Sequence, residues 1–464
     1  MSKTTDRLLA NIRGGRALSG RDKLSLIVGL SIPSMLAQVT SVLMFFIDAA
    51  MVGHLGASAS ASIGLVESTT WLMGSVMSAF STGFSVQVAH FIGASDFRRA
   101  RQVLRHGLTS GLVFSMLMLL IGCSIHSRLP FWLGGGADIA GSSAAYFLIY
   151  SLAMPFVLLF HMSSSMLKCA GDMRVPSAMA IANCALDVVF NYLFIYILEM
   201  GVVGAALGTA ASYVVTSFVM AFFVTMRNSM LALHNDRDPF RWDWQYLRNA
   251  ARISGPIAVQ SVLMSGAQIV STLIVAPLGN IAIAANSFAI TAESLCYMPG
   301  YGIGDAATTL VGQTHGAGRH DLCRSFARLS VGTGMLVMAF MGAVMYVLAP
   351  EMMAALTPVD AIKTLGVEVL RIEAFAEPFF AASIVTYSVC VGAGDTLRPA
   401  AINLCSMWLV RLSLAWWLSQ SMGLKGVWIA MATELTVRGL LFLLRLLLGN
   451  WMKGFSVSKG TGSE

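Results

Sequence analysis

The chain has 464 residues, of which 56% are hydrophobic and only 11% charged, and its formal net charge is +7. Soluble domains carry roughly 25% charged residues, so the composition excludes a water-soluble globular protein and makes the lipid bilayer the main solvent. The basic excess calls for no nucleic-acid partner, because basic loops facing an anionic leaflet account for it.

Residues 1–23 are polar and basic and precede an apolar stretch too long for a signal-peptide core, so no cleaved targeting segment is expected. Stretches long enough to cross a ~30 Å hydrocarbon layer as ~20 helical residues begin near residues 24, 60, 103, 139, 175, 203, 247, 282, 325, 362, 398 and 425. They are continuous and rich in Leu, Met and Ala, whereas a barrel shows alternating segments of ~10 residues. The expectation is an all-α polytopic membrane protein with twelve transmembrane helices in two six-helix lobes. Its parts are a cytoplasmic segment 1–23, a first lobe 24–226, an inter-lobe linker 227–246, a second lobe 247–449 and a cytoplasmic tail 450–464. The linker, with Asp236, Asp238-Pro239 and Trp242-Asp243-Trp244, reads as an amphipathic stretch along the inner surface.

Shifted by 223 residues, the chain matches itself: Pro33 falls on Pro256, Leu55-Gly56 on Leu278-Gly279, Ala170-Gly171-Asp172 on Ala393-Gly394-Asp395 and Pro176 on Pro399. One constant offset through turn-forming residues indicates duplication. An even number of helices per copy returns the chain to its starting side, so the copies insert in parallel. With both termini cytoplasmic, inside segments hold 23 Lys and Arg while outside segments hold 3, namely Arg128, Lys363 and Lys425. That bias sets the orientation by the positive-inside rule. The seven cysteines fall in predicted helices or on the cytoplasmic side and imply no disulfide framework.

Ionisable side chains at bilayer depth are expensive unless paired or hydrated, so each is a functional candidate. Here they are Asp48, Glu67, Asp187, Glu293, Glu373, Glu377, Arg411, Glu434 and Arg438. Helix rise puts Asp48, Glu67, Asp187 and Thr209 in the outer half of the first lobe. Asn183, Asp187 and Asn191 are spaced four apart and share one helix face. A carboxamide one turn from a carboxylate suits either a proton-carrying acid or an oxygen cage for Na+. In the second copy Asp48, Asn183 and Asp187 become Ser271, Ser406 and Val410, so the scaffold was kept and the acids were not. That asymmetry favours a coupling-ion site over purely structural hydrogen bonding.

Glu434 and Arg438 read as a mutually neutralising i, i+4 pair. Arg411 either pairs with an acid or lines a cavity, and Glu377, beside Pro378, and Glu293 are candidates for lining a cavity or relaying protons. Pro33, Pro155, Pro256, Pro299 and Pro378 fall inside spans, where a missing amide bends a helix. The run from Pro299 to Gly304 lacks phosphate-loop spacing and reads as a flexible stretch of helix. With no His-Glu-x-x-His, no Cys-x-x-Cys and no Walker loop, an enzyme is not expected, nor any cofactor beyond a coupling ion.

These residues resemble the multidrug and toxic compound extrusion (MATE) family of secondary transporters. The resemblance runs from about Leu24 to Gly449 and rests on Asp48-Ala49-Ala50-Met51-Val52-Gly53-His54-Leu55-Gly56, on Gly316-Ala317-Gly318, on the twin Ala-Gly-Asp turns followed by prolines, and on Asn183 through Asn191. It implies two six-helix lobes forming a V around a central cavity, and export of cationic or amphipathic compounds in exchange for H+ or Na+. It maps the family's first-lobe cation site, a possible Na+ site, onto Asp48, Asn183, Asp187 and Thr209, and the helix-1 hinge onto Pro33. Asn191, Glu67, Glu293 and Glu377 are secondary candidates. Acids that NorM-like members carry in the second lobe map onto Met264 and Phe380, so the chain resembles the DinF-like branch more. The expected partners are a small organic substrate and membrane lipid, for a monomer in a bacterial inner membrane. Two other readings stay open. A lipid-linked oligosaccharide flippase of the same superfamily calls for a more cationic cavity, and a non-transporting receptor or scaffold has no need of a carboxylate cluster in one lobe.

Overall fold

The computed structural model describes residues 3–235 and 240–453. Asp236, Arg237, Asp238 and Pro239 of the expected linker, and the tail beyond residue 453, lie outside the described residues. Among the described residues every regular element is a helix. The first copy contains α1 (Lys3–Arg13), α2 (Gly20–Gly53), α3 (Ala57–Gly93), α4 (Phe97–Ile125), a short α5 (Leu129–Trp132), α6 (Ala137–Leu152), α7 (Met154–Cys169), α8 (Arg174–Asn191) and α9 (Gly201–Phe222). The second contains α10 (Trp244–Val275), α11 (Asn280–Gly316), α12 (His320–Leu356), α13 (Asp360–Ala374), α14 (Glu377–Gly392), α15 (Leu397–Cys405), α16 (Leu412–Met422) and α17 (Leu424–Leu448). The chain is a multi-pass membrane protein.

Each expected span is matched by a helix, or a run of helices, that starts one to six residues before the apolar stretch. The longer of these additions, at the starts of α2, α4 and α12, are rich in charged residues. Asp96 caps α4 by accepting the Arg99 N–H at 3.0 Å, because the first amides of a helix have no internal partner. Among the described residues nine unbroken helices are long and apolar enough to cross a membrane, or eleven spans when each of two bent pairs counts as one. The remaining span, α3, has the length but is diluted by Ser58, Ser60, Ser62, Ser68, Thr69 and Thr70.

The bent pairs are α6 with α7, at 48°, and α13 with α14, at 58°. Pro155 and Pro378 stand in the first turns of α7 and α14, where the missing N–H would be unpaired anyway. These two prolines therefore break their spans. Pro33, Pro256 and Pro299 lie inside unbroken α2, α10 and α11. The glycines after Pro299 are tightly packed in regular α11, not a flexible stretch: a Cβ on Gly302 would stand 2.6 Å from the Met35 backbone nitrogen. Small residues at this point let the first half of α2 lie directly on α11.

By packing, the chain divides into two compact units, Thr40–Ala258, and Ser2–Val39 with Val259–Glu464. The divisions pass through α2 and α10, not through residues 227–246. The side-chain chemistry explains both exchanges. In the second unit Ser34 Oγ donates to Asp305 Oδ2 at 2.6 Å and Lys23 Nζ to Ser325 Oγ at 2.9 Å. In the first, Gln87 Nε2 donates to the Tyr246 carbonyl at 3.1 Å. The expected polar N-terminal segment forms α1, an amphipathic helix that buries Leu8, Leu9 and Ile12. Arg319 Nη1 meets its carbonyls at Asn11 and Ile12, both at 3.4 Å, and donates to Arg16 O just beyond the helix at 2.8 Å.

The duplicated turns share one backbone. Gly171 and Gly394 have φ of 94° and 78°, and the following Asp172 and Asp395 amides both close back at 2.9 Å, to Leu167 O and Cys390 O. This is the left-handed helix ending that glycine permits. Gly171→Ala and Gly394→Ala are expected to lower stability by similar amounts, about 1–2 kcal/mol for an L-residue held left-handed. Thermal unfolding in detergent checks this, and a fall at only one site would show that the turns are not equivalent.

Candidate ion-coupling site

On α8 of the first unit, Asn183, Asp187 and Asn191 are all buried, at 4%, 0% and 2% exposure, on one face. The Asn191 amide is the junction. Its Nδ2 lies 3.0 Å from Asp48 Oδ1 and 2.9 Å from Asp187 Oδ2. An amide nitrogen carries two protons, so one side chain ties together carboxylates from α2 and α8. Asp187 Oδ1 and Asn191 Oδ1 are buried without a hydrogen-bond partner. An orphaned buried polar atom costs about 1–3 kcal/mol, a penalty that a proton or a desolvated cation relieves.

Thr209 and Ser212 of α9 stand beside Asp187. The Ser212 hydroxyl donates to the Thr209 carbonyl at 2.8 Å, so its one proton is committed there. Asp48 is only half-buried, which leaves a graded path from accessible Asp48 to enclosed Asp187. Asn183 makes its own hydrogen bonds away from the two carboxylates. Its Oδ1 accepts from Thr216 Oγ1 at 2.9 Å, and its Nδ2 faces Met44 Sδ at 3.8 Å; the carboxylate bridge belongs to Asn191. Glu67, on α3, is half-buried and shares with Asp48 and Asp187 the electrostatic neighbourhood of Tyr146 on α6.

Tyr146, Tyr213 and Thr216 were not singled out in the sequence. Tyr213 lies within electrostatic range of both Asp187 and Asp48. Thr209, Ser212, Tyr213 and Thr216 follow i, i+3, i+4, i+7 spacing, a polar stripe legible on α9 by helical periodicity. Gly208 lets α9 approach: a Cβ there would stand 2.0 Å from Asn191 Oδ1 and 2.9 Å from its backbone nitrogen. Among the described residues no three His, Cys, Asp or Glu side chains are grouped to hold a metal. A Na+ ion at Asp48 and Asp187 would draw further oxygens from Asn191 and Thr209.

The second unit buries charge differently. Glu293, Glu373, Glu377 and Glu434 are 5%, 0%, 0% and 0% exposed, and Glu373 feels the other three together with Arg411. Arg411 feels Glu434, Glu373, Glu293 and Arg438. Arg438 Nε lies 3.2 Å from Glu434 Oε1, the i, i+4 pair expected from spacing. Arg411 also donates to Met431 Sδ. It ends a π-helical turn, Ser406–Arg411, that starts at the counterpart of Asn183. Both carboxyl oxygens of Glu373 and of Glu377 are buried without hydrogen-bond partners. Four carboxyls face two guanidiniums, so neutrality requires two further positive charges. Glu293 and Glu377 thus join one cluster rather than acting singly. Met264 packs on Ala267, Met407 and Leu412, and Phe380 packs on Tyr297 at 5.4 Å with Arg438 5.6 Å above its ring.

The MatE family model matches residues 33–193 and again residues 256–417, the two starts lying 223 residues apart. The chain belongs to the MatE family. It is similar to a probable multidrug resistance protein NorM of Thermotoga maritima, 26% identical over 434 residues that cover 92% of this chain and 93% of that protein. It is also similar to the multidrug resistance protein MdtK of Yersinia pestis, 24% identical over 434 residues that cover 90% and 94% of the two chains. A crystal structure of a MATE protein in complex with MaL6 superposes with a TM-score of 0.89 at 20% identity, covering 98% of this chain and 100% of that one. That likeness establishes the fold, a twelve-helix, two-lobe body.

The first MatE segment contains Asp48, Asn183, Asp187 and Asn191, and the second contains their replacements Ser271, Ser406, Val410 and Leu414. Thr209, Glu434 and Arg438 lie beyond both segments. Alanine normally stabilises a helix over glycine by about 1 kcal/mol, yet at Gly208 the new Cβ strikes Asn191. Gly208→Ala is expected to lower the melting temperature and to abolish ion-dependent stabilisation; a variant as stable as wild type would show that the contact is slack. In the second unit, Glu373→Gln and Glu377→Gln each replace a buried carboxyl that lacks a hydrogen-bond partner with a neutral isostere and are expected to leave stability unchanged or raised. Arg411→Gln enlarges the imbalance and is expected to destabilise by about 3–5 kcal/mol. Denaturation in detergent reads both signs.

Proposed function

We propose that the protein is a secondary antiporter that exports cationic or amphipathic organic compounds across a bacterial inner membrane in exchange for H+ or Na+. The names of its relatives support the cargo class, and the observation that carries the coupling site is the Asn191 amide bridging Asp48 and Asp187. Two carboxylates of like charge in a low-dielectric interior repel one another. A cation or proton arriving through half-buried Asp48 removes that repulsion and gives the orphaned oxygens of Asp187 and Asn191 a partner. The ion and the cargo need only prefer different conformations for one to drive the other.

The second unit supports a cationic cargo over a phosphate-bearing lipid-linked oligosaccharide. Its buried ionisable groups are four carboxyls and two guanidiniums, a set that is neutral when two of the carboxyls hold protons and so offers no excess positive charge to an anionic lipid. Apolar Met264 and Phe380 favour coupling through the first unit, the DinF-like pattern, in a chain whose relatives carry the names NorM and MdtK.

Asp187→Asn keeps the volume and the bridge to Asn191 but cannot take up a proton or bind Na+ as a carboxylate. In proteoliposomes it is expected to lose gradient-driven dye export by at least roughly tenfold, the effect of about 1.4 kcal/mol in coupling. Imposing H+ and Na+ gradients separately identifies the ion. Wild-type export and ion affinity in this variant would refute the assignment.

A further inference from the structure

We propose that the basic face of the first unit carries a binding site for the phosphate headgroup of an anionic membrane lipid, in the cleft between the start of α4 and the segment leading into α10. The cleft has a volume of about 600 Å³ and is lined by Asp96, Arg98, Arg99, Gln102, Arg241, Asp243 and Tyr246. Both acids are engaged locally. Asp96 caps α4 and pairs with Arg99 at 3.4 Å, and Asp243 Oδ1 accepts the Gln245 N–H at 2.8 Å at the start of α10. Arg99 is paired with Asp96, and with Arg98 and Arg241 the lining holds three guanidiniums against two carboxylates, an excess of one positive charge. Planar guanidinium forks suit phosphate oxygens.

The wall opposite α4 is fixed by a fully buried histidine, His106. Its Nδ1 lies 2.7 Å from the Gln102 carbonyl, and its Nε2 accepts the Asp243 N–H at 2.9 Å. Phe240, Trp242 and Tyr246 pack around its ring with centroids at 4.9, 5.2 and 5.0 Å. Arg241 is therefore presented from a pinned backbone, not from a free strand.

The rim says which source of phosphate fits. Phe240, Trp242 and Trp244 are 42%, 41% and 72% exposed, three large aromatic rings on the same short segment as Arg241 and Asp243 of the cleft. Aromatic rings of this kind seat at the headgroup level of a bilayer, and basic pockets beside transmembrane helices bind anionic headgroups. A soluble anion would need the arginines but not the rings.

The test titrates phosphatidylglycerol, phosphatidylcholine or inorganic phosphate onto the full-length protein in neutral detergent and tracks thermal unfolding and native mass spectra. Phosphatidylglycerol alone is expected to stabilise the wild type and to remain bound. The double variant Arg98→Gln, Arg241→Gln is expected to need a roughly 30-fold higher lipid concentration, for two basic residues at the surface, with an unchanged melting temperature in lipid-free detergent. Should the double variant not fold, exposed Arg241→Gln alone is expected to show about fivefold weakening. Trp244→Ala is expected to weaken phosphatidylglycerol without affecting the response to phosphate. Equal stabilisation by inorganic phosphate, equal binding of phosphatidylcholine, or undiminished phosphatidylglycerol selectivity in the arginine variants would each overturn the proposal. None of these readouts involves transport, so they stand apart from the coupling assignment.

Discussion

The first unit depends on a single carboxamide. Asn191 sits at the end of α8, its two amide protons serving one carboxylate on its own helix and one on α2, and its oxygen has no partner. A hydrophobic residue there would leave buried Asp187 and half-buried Asp48 without that donor, and a carboxylate would add a third acid to the pair. A carboxamide is neutral and donates twice, which suits the position. Its placement rests in turn on Gly208, since any side chain on that turn of α9 would occupy the volume of Asn191. The polar centre and the helix packing are one constraint.

Duplication fixed the frame before function divided it. The left-handed turns at Gly171 and Gly394 keep the same hydrogen bonds, because a turn is a backbone property that few residues satisfy. The interior was free to diverge. Where the first copy places Asn183 and Asp187 on regular helix, the second begins a π-helical turn at Ser406 that ends on Arg411. A π turn accommodates one more residue than an α turn and re-aims the side chains beyond it, so the second unit meets its buried glutamates with guanidinium groups where the first uses an amide.

Spans, repeat and the α8 face were legible because each has a period or an offset: apolar length for the spans, 223 residues for the copies, four residues for Asn183, Asp187 and Asn191. Which asparagine holds the bridge was not legible. Asn183 and Asn191 are each one turn from Asp187, and only the approach of α2 and the gap at Gly208 distinguish them. Pro155 and Pro378 read as bends for a similar reason. Sequence places a proline within an apolar stretch, but whether the helix restarts there depends on the neighbouring packing. The exchange of helix ends between units was invisible, since hydropathy records depth in the bilayer and carries no information about neighbours.

That exchange gives α2 a particular mechanical position. Ser34, held by Asp305, and Asp48, held by Asn191, lie fourteen residues apart on one continuous helix, a separation of ~21 Å at 1.5 Å per residue. One anchor belongs to each unit. Pro33 adjoins the first anchor, and its missing N–H leaves the helix one hydrogen bond short at that turn. Asp48 and the turn weakened by Pro33 thus lie on the same continuous helix. In the proposed exchange, one continuous helix carrying both Asp48 and Pro33 fits a hinge at Pro33 that responds to the charge at Asp48, without any need for cargo and ion to touch the same atoms.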